Sequence, residues 1–129
     1  MMMTSAEQMR SLSKAAYMEF ENRMLAHLRE FFPAECDALG EDEVRDEIKY
    51  GVRRAKLYGF ESEQDVCRYI DLMFAFGSNF DADPDLVELR ELLDDDVAED
   101  PTERMDCLYD VAMSILDAKD AAHSNSSRT

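Results

Sequence analysis

One stretch constrains the fold more than any other. Between Ser62 and Gly77 the chain reads "EQDVCRYIDLMFAF". Val66, Cys67, Tyr69, Ile70, Leu72, Met73, Phe74, Ala75 and Phe76 there put apolar side chains on nearly every face of a helix. A helix that is apolar all round must be covered all round, so this one is expected to be a central strut with the other elements packed about it. Its polar exceptions are Arg68 and Asp71. Ser62, three residues before Asp65, marks the start, and Gly77 the end.

The flanking sequence supplies helices to do the covering. Met9, Leu12, Ala16, Phe20, Met24, Leu28 and Phe31 recur at three- and four-residue steps, with Tyr17, Leu25 and Phe32 beside them. This predicts a first helix from about Ser5 to Phe32, stopped by Pro33. "AECDALG" reads as a connector with room for one helical turn. A second helix over Glu41 to Tyr58 has acids at its start and Arg53, Arg54 and Lys56 near its end, as the helix dipole favours. Val44, Ile48, Val52, Ala55 and Tyr58 form its inner face. Gly51 inside it costs about 1 kcal/mol relative to Ala, which points to another helix approaching closely. Gly59 suits its C-terminal cap.

Asp83-Pro84 and Asp100-Pro101 each pair a capping Asp with Pro at the first helical position. They start a fourth helix with a narrow Leu86, Leu89, Leu93 stripe, and a fifth with Met105, Leu108, Ala112, Ile115 and Leu116 inward. The expected fold is an all-α, single-domain bundle of about five helices over residues 1–119, with a polar, disordered tail at 120–129. A 46 % apolar composition is enough for its core. No apolar run approaches the ~20 residues of a membrane span. The N-terminus has no basic start followed by an apolar block, so the expected location is the cytoplasm.

Thirty acids against fourteen bases give a net charge of −16. Phosphates and anionic lipid surfaces would be repelled, so neither nucleic acid nor membrane is an expected partner. A basic protein partner would be steered in. The acids are densest from Asp81 to Asp100, where ten stand against one base, Arg90. Three readings fit that density: a docking face for a basic partner, a mimic of a phosphate backbone, or a solvated helix and loop.

Asp81, Asp83 and Asp85 have the 1-3-5 spacing of a calcium loop, but Leu86 stands where that loop needs Gly and Leu92 where it needs Glu. Cys36, Cys67 and Cys107 are widely spaced with no CxxC pair, which argues against a zinc site or redox motif. Cys67 and Cys107 lie in apolar helical segments, the setting of a small buried hydrophobe. Of the two histidines, His27 sits beside the first helix's apolar stripe and His123 in the tail. No HExxH, GxSxG or Gly-rich phosphate loop occurs. An enzyme would need a buried His27 next to a thiol or carboxylate cluster in a cleft. The expectation is no catalytic residue, no metal and no cofactor.

What remains is a protein-binding face. The aromatic pairs Tyr58/Phe60 and Phe76/Phe80 flank the central helix and serve either as core or as partner anchors. Nine methionines would suit an adaptable apolar groove, or ordinary core filling. The candidate contact residues are Tyr58, Phe60, Phe80, Asp81, Asp83, Asp85, Glu88, Glu91, Asp94, Asp95 and Asp96.

The block "YGFESEQDVCRYIDLMFAFGSNFDADP", preceded by "FENRMLAHLREFFPAECDALGEDEVRDEIKYGVRRA", resembles small acidic helical accessory proteins. These are encoded beside type VI secretion effectors in Gram-negative bacteria. The resemblance covers roughly residues 15–90. Beyond Leu86 it weakens: the pattern there has Pro-Trp, whereas Val87-Glu88 follow here and the chain has no Trp. It implies a chaperone, co-chaperone or adaptor for an effector or its loading adaptor. The alternative is an immunity protein, or a nucleic-acid mimic, that neutralises a basic toxin. No catalytic residue carries over.

Overall fold

The helices begin and end where caps and glycines direct. The computed structural model describes the backbone at residues 14–94 and 100–127, with side chains through 119. Six α-helices run in order: α1 Lys14–Phe31, α2 Pro33–Leu39, α3 Glu41–Leu57, α4 Glu63–Phe76, α5 Val87–Leu93 and α6 Pro101–Ser127. Two 3-10 turns, Phe80–Ala82 and Pro84–Leu86, lie between α4 and α5. The fold is all-α, with no strand among the described residues. No helix among them is long and apolar enough to cross a membrane.

The cap residues act as expected. The Ser62 hydroxyl accepts from the Asp65 N–H at 3.2 Å. Asp83 accepts from the Asp85 N–H at 2.9 Å, and Asp100 from the Thr102 N–H at 2.9 Å. These side chains satisfy N–H groups that a first turn leaves without a partner. Gly77 closes α4 at φ +115°, where a side chain would be strained.

Three boundaries differ from expectation. Pro33 both halts α1 and opens α2, because a residue without an N–H suits a first helical turn. The connector therefore holds a seven-residue helix. Pro84 starts a 3-10 turn, and the α-helix follows only at Val87. The backbone of α6 continues to Ser127, into the stretch expected to be a tail. The expected start at Ser5, with Met9 and Leu12, lies outside the described residues.

The chain divides into two compact units, residues 1–80 and 81–129. In the second, α5 packs against α6. Leu89 and Leu93 on α5 are buried, as are Met105, Leu108 and Ala112 on α6. In the first unit α3 packs against α1, α2 and α4. The strut α4 is covered as its composition requires, with Gln64 its single exposed residue.

The α3–α4 contact explains Gly51. A Cβ built there would lie 2.6 Å from Ile70 Cγ1 and 2.9 Å from Met73 Sδ. Real side chains do not approach so closely, and Cγ1 of a β-branched residue has little freedom to yield. The glycine thus exchanges helix propensity for interhelical contact.

A second tie joins α1 to α3 through charge. Glu21 is 1 % exposed, and Arg45 donates to its Oε1 at 2.9 Å. Arg45 also donates to Glu41 at 3.2 Å, and Arg29 donates to Glu41 at 2.9 Å. The two guanidiniums hold the Glu41 carboxyl below the usual carboxylate range. Glu21 is the member of this chain that water does not reach, so its stability depends on Arg45.

Two predictions follow from these contacts. Gly51→Ala should destabilise the protein by about 1–2 kcal/mol, the overpacking cost exceeding the gain in helix propensity. Urea unfolding measures this, and a stabilised variant would show that α3 and α4 do not meet so closely. Arg45→Ala should cost about 2–3 kcal/mol, because it strands a buried carboxylate. The double variant Glu21→Gln/Arg45→Ala should recover part of that loss.

Candidate functional site

Helices α1 and α4 face each other across a groove of ≈ 330 Å³. Phe20, Arg23, Met24 and His27 line it from α1, and Glu63, Gln64 and Cys67 from α4. The residues recur at three- and four-residue steps, so each helix presents one face to the groove. At the rim Arg23 donates to Glu63 at 3.1 Å.

At one end, His27 Nε2 and Asp71 Oδ1 are hydrogen-bonded at 2.8 Å. Cys67 lies one turn before Asp71 on the same face. The imidazole nitrogen, the thiol sulfur and the carboxylate oxygen all lie within 4.8 Å of one another. All three residues are half-buried. Among the described residues this is the group where three such side chains converge. Asp71, a polar exception on the strut, therefore has a partner on another helix.

The chemistry of the trio is set by burial. Burial pushes the Cys67 thiol up to about 11, and the Asp71 charge adds to the shift. Burial likewise holds the Asp71 carboxyl above the usual carboxylate range, with His27 pulling it back. A nucleophilic cysteine needs the opposite environment, one that lowers its pKa. Cys67 also lies in the second turn of α4, away from the N-terminal amides that could stabilise a thiolate or an oxyanion. The arrangement is a cleft with His27 beside a thiol and a carboxylate, the setting that an enzyme reading requires, with the thiol raised by burial.

A second groove of ≈ 320 Å³ opens among α2, α3 and the end of α4. Ala38, Leu39, Met73 and Phe74 supply its apolar surface, and Glu35 and Glu47 its charge. Gly77 and Ser78 close one side. The loop there is held down: Ser78 Oγ donates to Glu47, and Tyr50 Oη donates to Asn79 Oδ1 at 2.6 Å.

The expected contact residues fare unevenly. Phe60 and Phe80 are core, 0 % and 1 % exposed. With half-buried Tyr58 they surround Tyr69, at ring-centroid distances of 6.4, 5.1 and 6.1 Å. As surface anchors these two phenylalanines are corrected: a buried Tyr ring on the strut needs aromatic neighbours, and they are those neighbours. Asp81 is also buried. Asp83 is half-buried and spent on its cap, whereas Asp85, Glu88, Glu91 and Asp94 are exposed. Asp95 and Asp96 lie outside the described residues. Two further expectations change: Phe31 is 61 % exposed instead of inward, and Cys107 is exposed while Cys36 is the buried thiol.

No protein-family model, curated protein or solved structure matches the chain.

The thiols give a direct check. With iodoacetamide near neutral pH, exposed Cys107 should be labelled well before Cys67. Cys67 labelling should keep rising as the pH approaches about 11. Peptide mass spectrometry reads both rates. Fast labelling of Cys67 at pH 7 would mean an activated thiolate and would favour an enzyme.

Proposed function

We propose that this chain is a non-catalytic protein-binding module, a chaperone, co-chaperone or adaptor in the handling of type VI secretion effectors. The observation that carries the binding part is the groove among α2, α3 and α4. Its apolar surface can seat the apolar side chains of a partner segment, and Leu39 at its edge is 40 % exposed. Glu35 and Glu47 favour a segment that also bears Lys or Arg, and the net charge of −16 would steer it in. The secretion context rests on the sequence resemblance over residues 15–90. A secretion cargo must be held and later released, which suits a small groove better than a large obligate interface.

A specific observation favours a second reading. Helix α5 buries Leu89 and Leu93 and leaves Glu88 and Glu91 exposed, with Asp94 just past its end also exposed and ion-paired to Arg90 at 3.4 Å. An acidic face of this kind suits a basic toxin domain, the immunity or mimic alternative.

Co-purification from native cells with wild type and two variants separates the readings. The first reading expects stoichiometric recovery of an effector or its adaptor, reduced at least about tenfold by Leu39→Glu and tolerant of moderate salt. The second expects a basic toxin domain, lost at moderate salt and on Glu88→Gln/Glu91→Gln/Asp94→Asn. Equal recovery by wild type and Leu39→Glu would remove the groove as the binding surface.

A further inference from the structure

We propose that His27, Cys67 and Asp71 form a binding site for a thiophilic divalent metal, zinc by its chemistry, at one end of the α1–α4 groove. This site is separate from the groove of the proposed function, and either can hold without the other.

The case rests on geometry and donor type. One nitrogen, one sulfur and one oxygen donor converge within 4.8 Å. Tetrahedral zinc with ordinary bond lengths sets its ligand atoms ~3.3–3.6 Å apart. The His27–Asp71 pair is already closer than that, at 2.8 Å. Binding therefore needs His27 and Asp71 to part by roughly half an ångström and the Cys67 sulfur, within 4.8 Å of both, to close by at most about 1.5 Å, within reach of side-chain rotation. The spacing of Cys67 from Asp71 places both donors on one face of a rigid helix. His27 comes from the facing helix, so a bound ion would link α1 to α4.

Donor chemistry selects the ion. Thiolate and imidazole together suit zinc, whereas calcium and magnesium take oxygen shells. Access is also in place, because His27 and Cys67 both line the groove. Three protein ligands leave a fourth position, which water from the groove can fill. On binding, the thiol proton is released to solvent. The neutral imidazole coordinates through one nitrogen and keeps its proton on the other. No oxidant or reductant is needed.

The alternative is that the trio is an ordinary half-buried polar contact. The two differ in what happens when cobalt(II), a spectroscopic substitute for zinc, is added to the reduced full-length protein. A metal site gives saturable binding of one equivalent, a thiolate-to-cobalt charge-transfer band in the near ultraviolet, and intense visible bands of tetrahedral geometry. Zinc should displace the cobalt. Cys67→Ser should abolish the charge-transfer band, while Cys36→Ser and Cys107→Ser keep it. Asp71→Asn should weaken binding at least about tenfold.

A mutation-free measurement guards against variants that fold poorly. One equivalent of zinc should slow iodoacetamide labelling of Cys67 at least about tenfold and leave Cys107 unchanged. Weak octahedral cobalt bands alone, a charge-transfer band that survives Cys67→Ser, or labelling of Cys67 indifferent to zinc would each overturn the proposal.

Discussion

The first unit depends on how closely α3 and α4 approach each other. A missing side chain at Gly51 lets Ile70 and Met73 lie against the α3 backbone. That approach orients α4 about its own axis. Once Ile70 and Met73 point at α3, Cys67 and Asp71 are carried on a neighbouring face, toward α1. Tyr69 is directed at the same time into its ring of Tyr58, Phe60 and Phe80. One glycine therefore sets the rotation of the helix that carries both the core aromatics and the groove-lining thiol.

What the sequence makes legible depends on the range over which each signal acts. Capping residues act over two or three positions, so Ser62, Asp83 and Asp100 were legible from local order alone. Gly51 was legible because a glycine inside a good helix calls for a tertiary reason. The apolar circumference of α4 foretold its burial. Phe60 and Phe80 were not resolved, because an aromatic residue beside a core helix serves equally as filler or as anchor. Only the position of Tyr69 decides between them. The trio of His27, Cys67 and Asp71 has no sequence signature of the CxxC kind. Its members are 40 and 4 residues apart and meet only when two helices pair. The usable hint was Asp71, with Arg68 one of the two polar exceptions in the body of an apolar strut.

The strong acidity also takes on a different meaning once the contacts are assigned. Glu21 holds α1 to α3 through Arg45, and Glu41 does so through Arg29. Glu47 anchors the loop after α4, and Glu63 bridges to Arg23. Asp83 and Asp100 cap turns. These carboxylates have work inside the fold, so the net charge of −16 is not a measure of docking surface. Other acids remain exposed, among them Glu35 at the groove edge and Glu88 and Glu91 on α5, while Asp94 just beyond α5 is ion-paired to Arg90.

The order of packing along the chain has a kinetic meaning. In the first unit α1 meets α2, α2 meets α3 and α3 meets α4, each a neighbour in sequence. In the second, α5 meets α6 in the same way. The α1–α3 pairing skips only a seven-residue helix. Search for the native arrangement therefore closes mostly short loops, whose entropic cost is small, the α1–α4 contact of His27 with Asp71 across 44 residues being a longer one. Chains of low contact order cross their folding barriers on microsecond to millisecond timescales. A protein of this topology regains its native state quickly after a transient opening, and leaves its apolar strut little time in water.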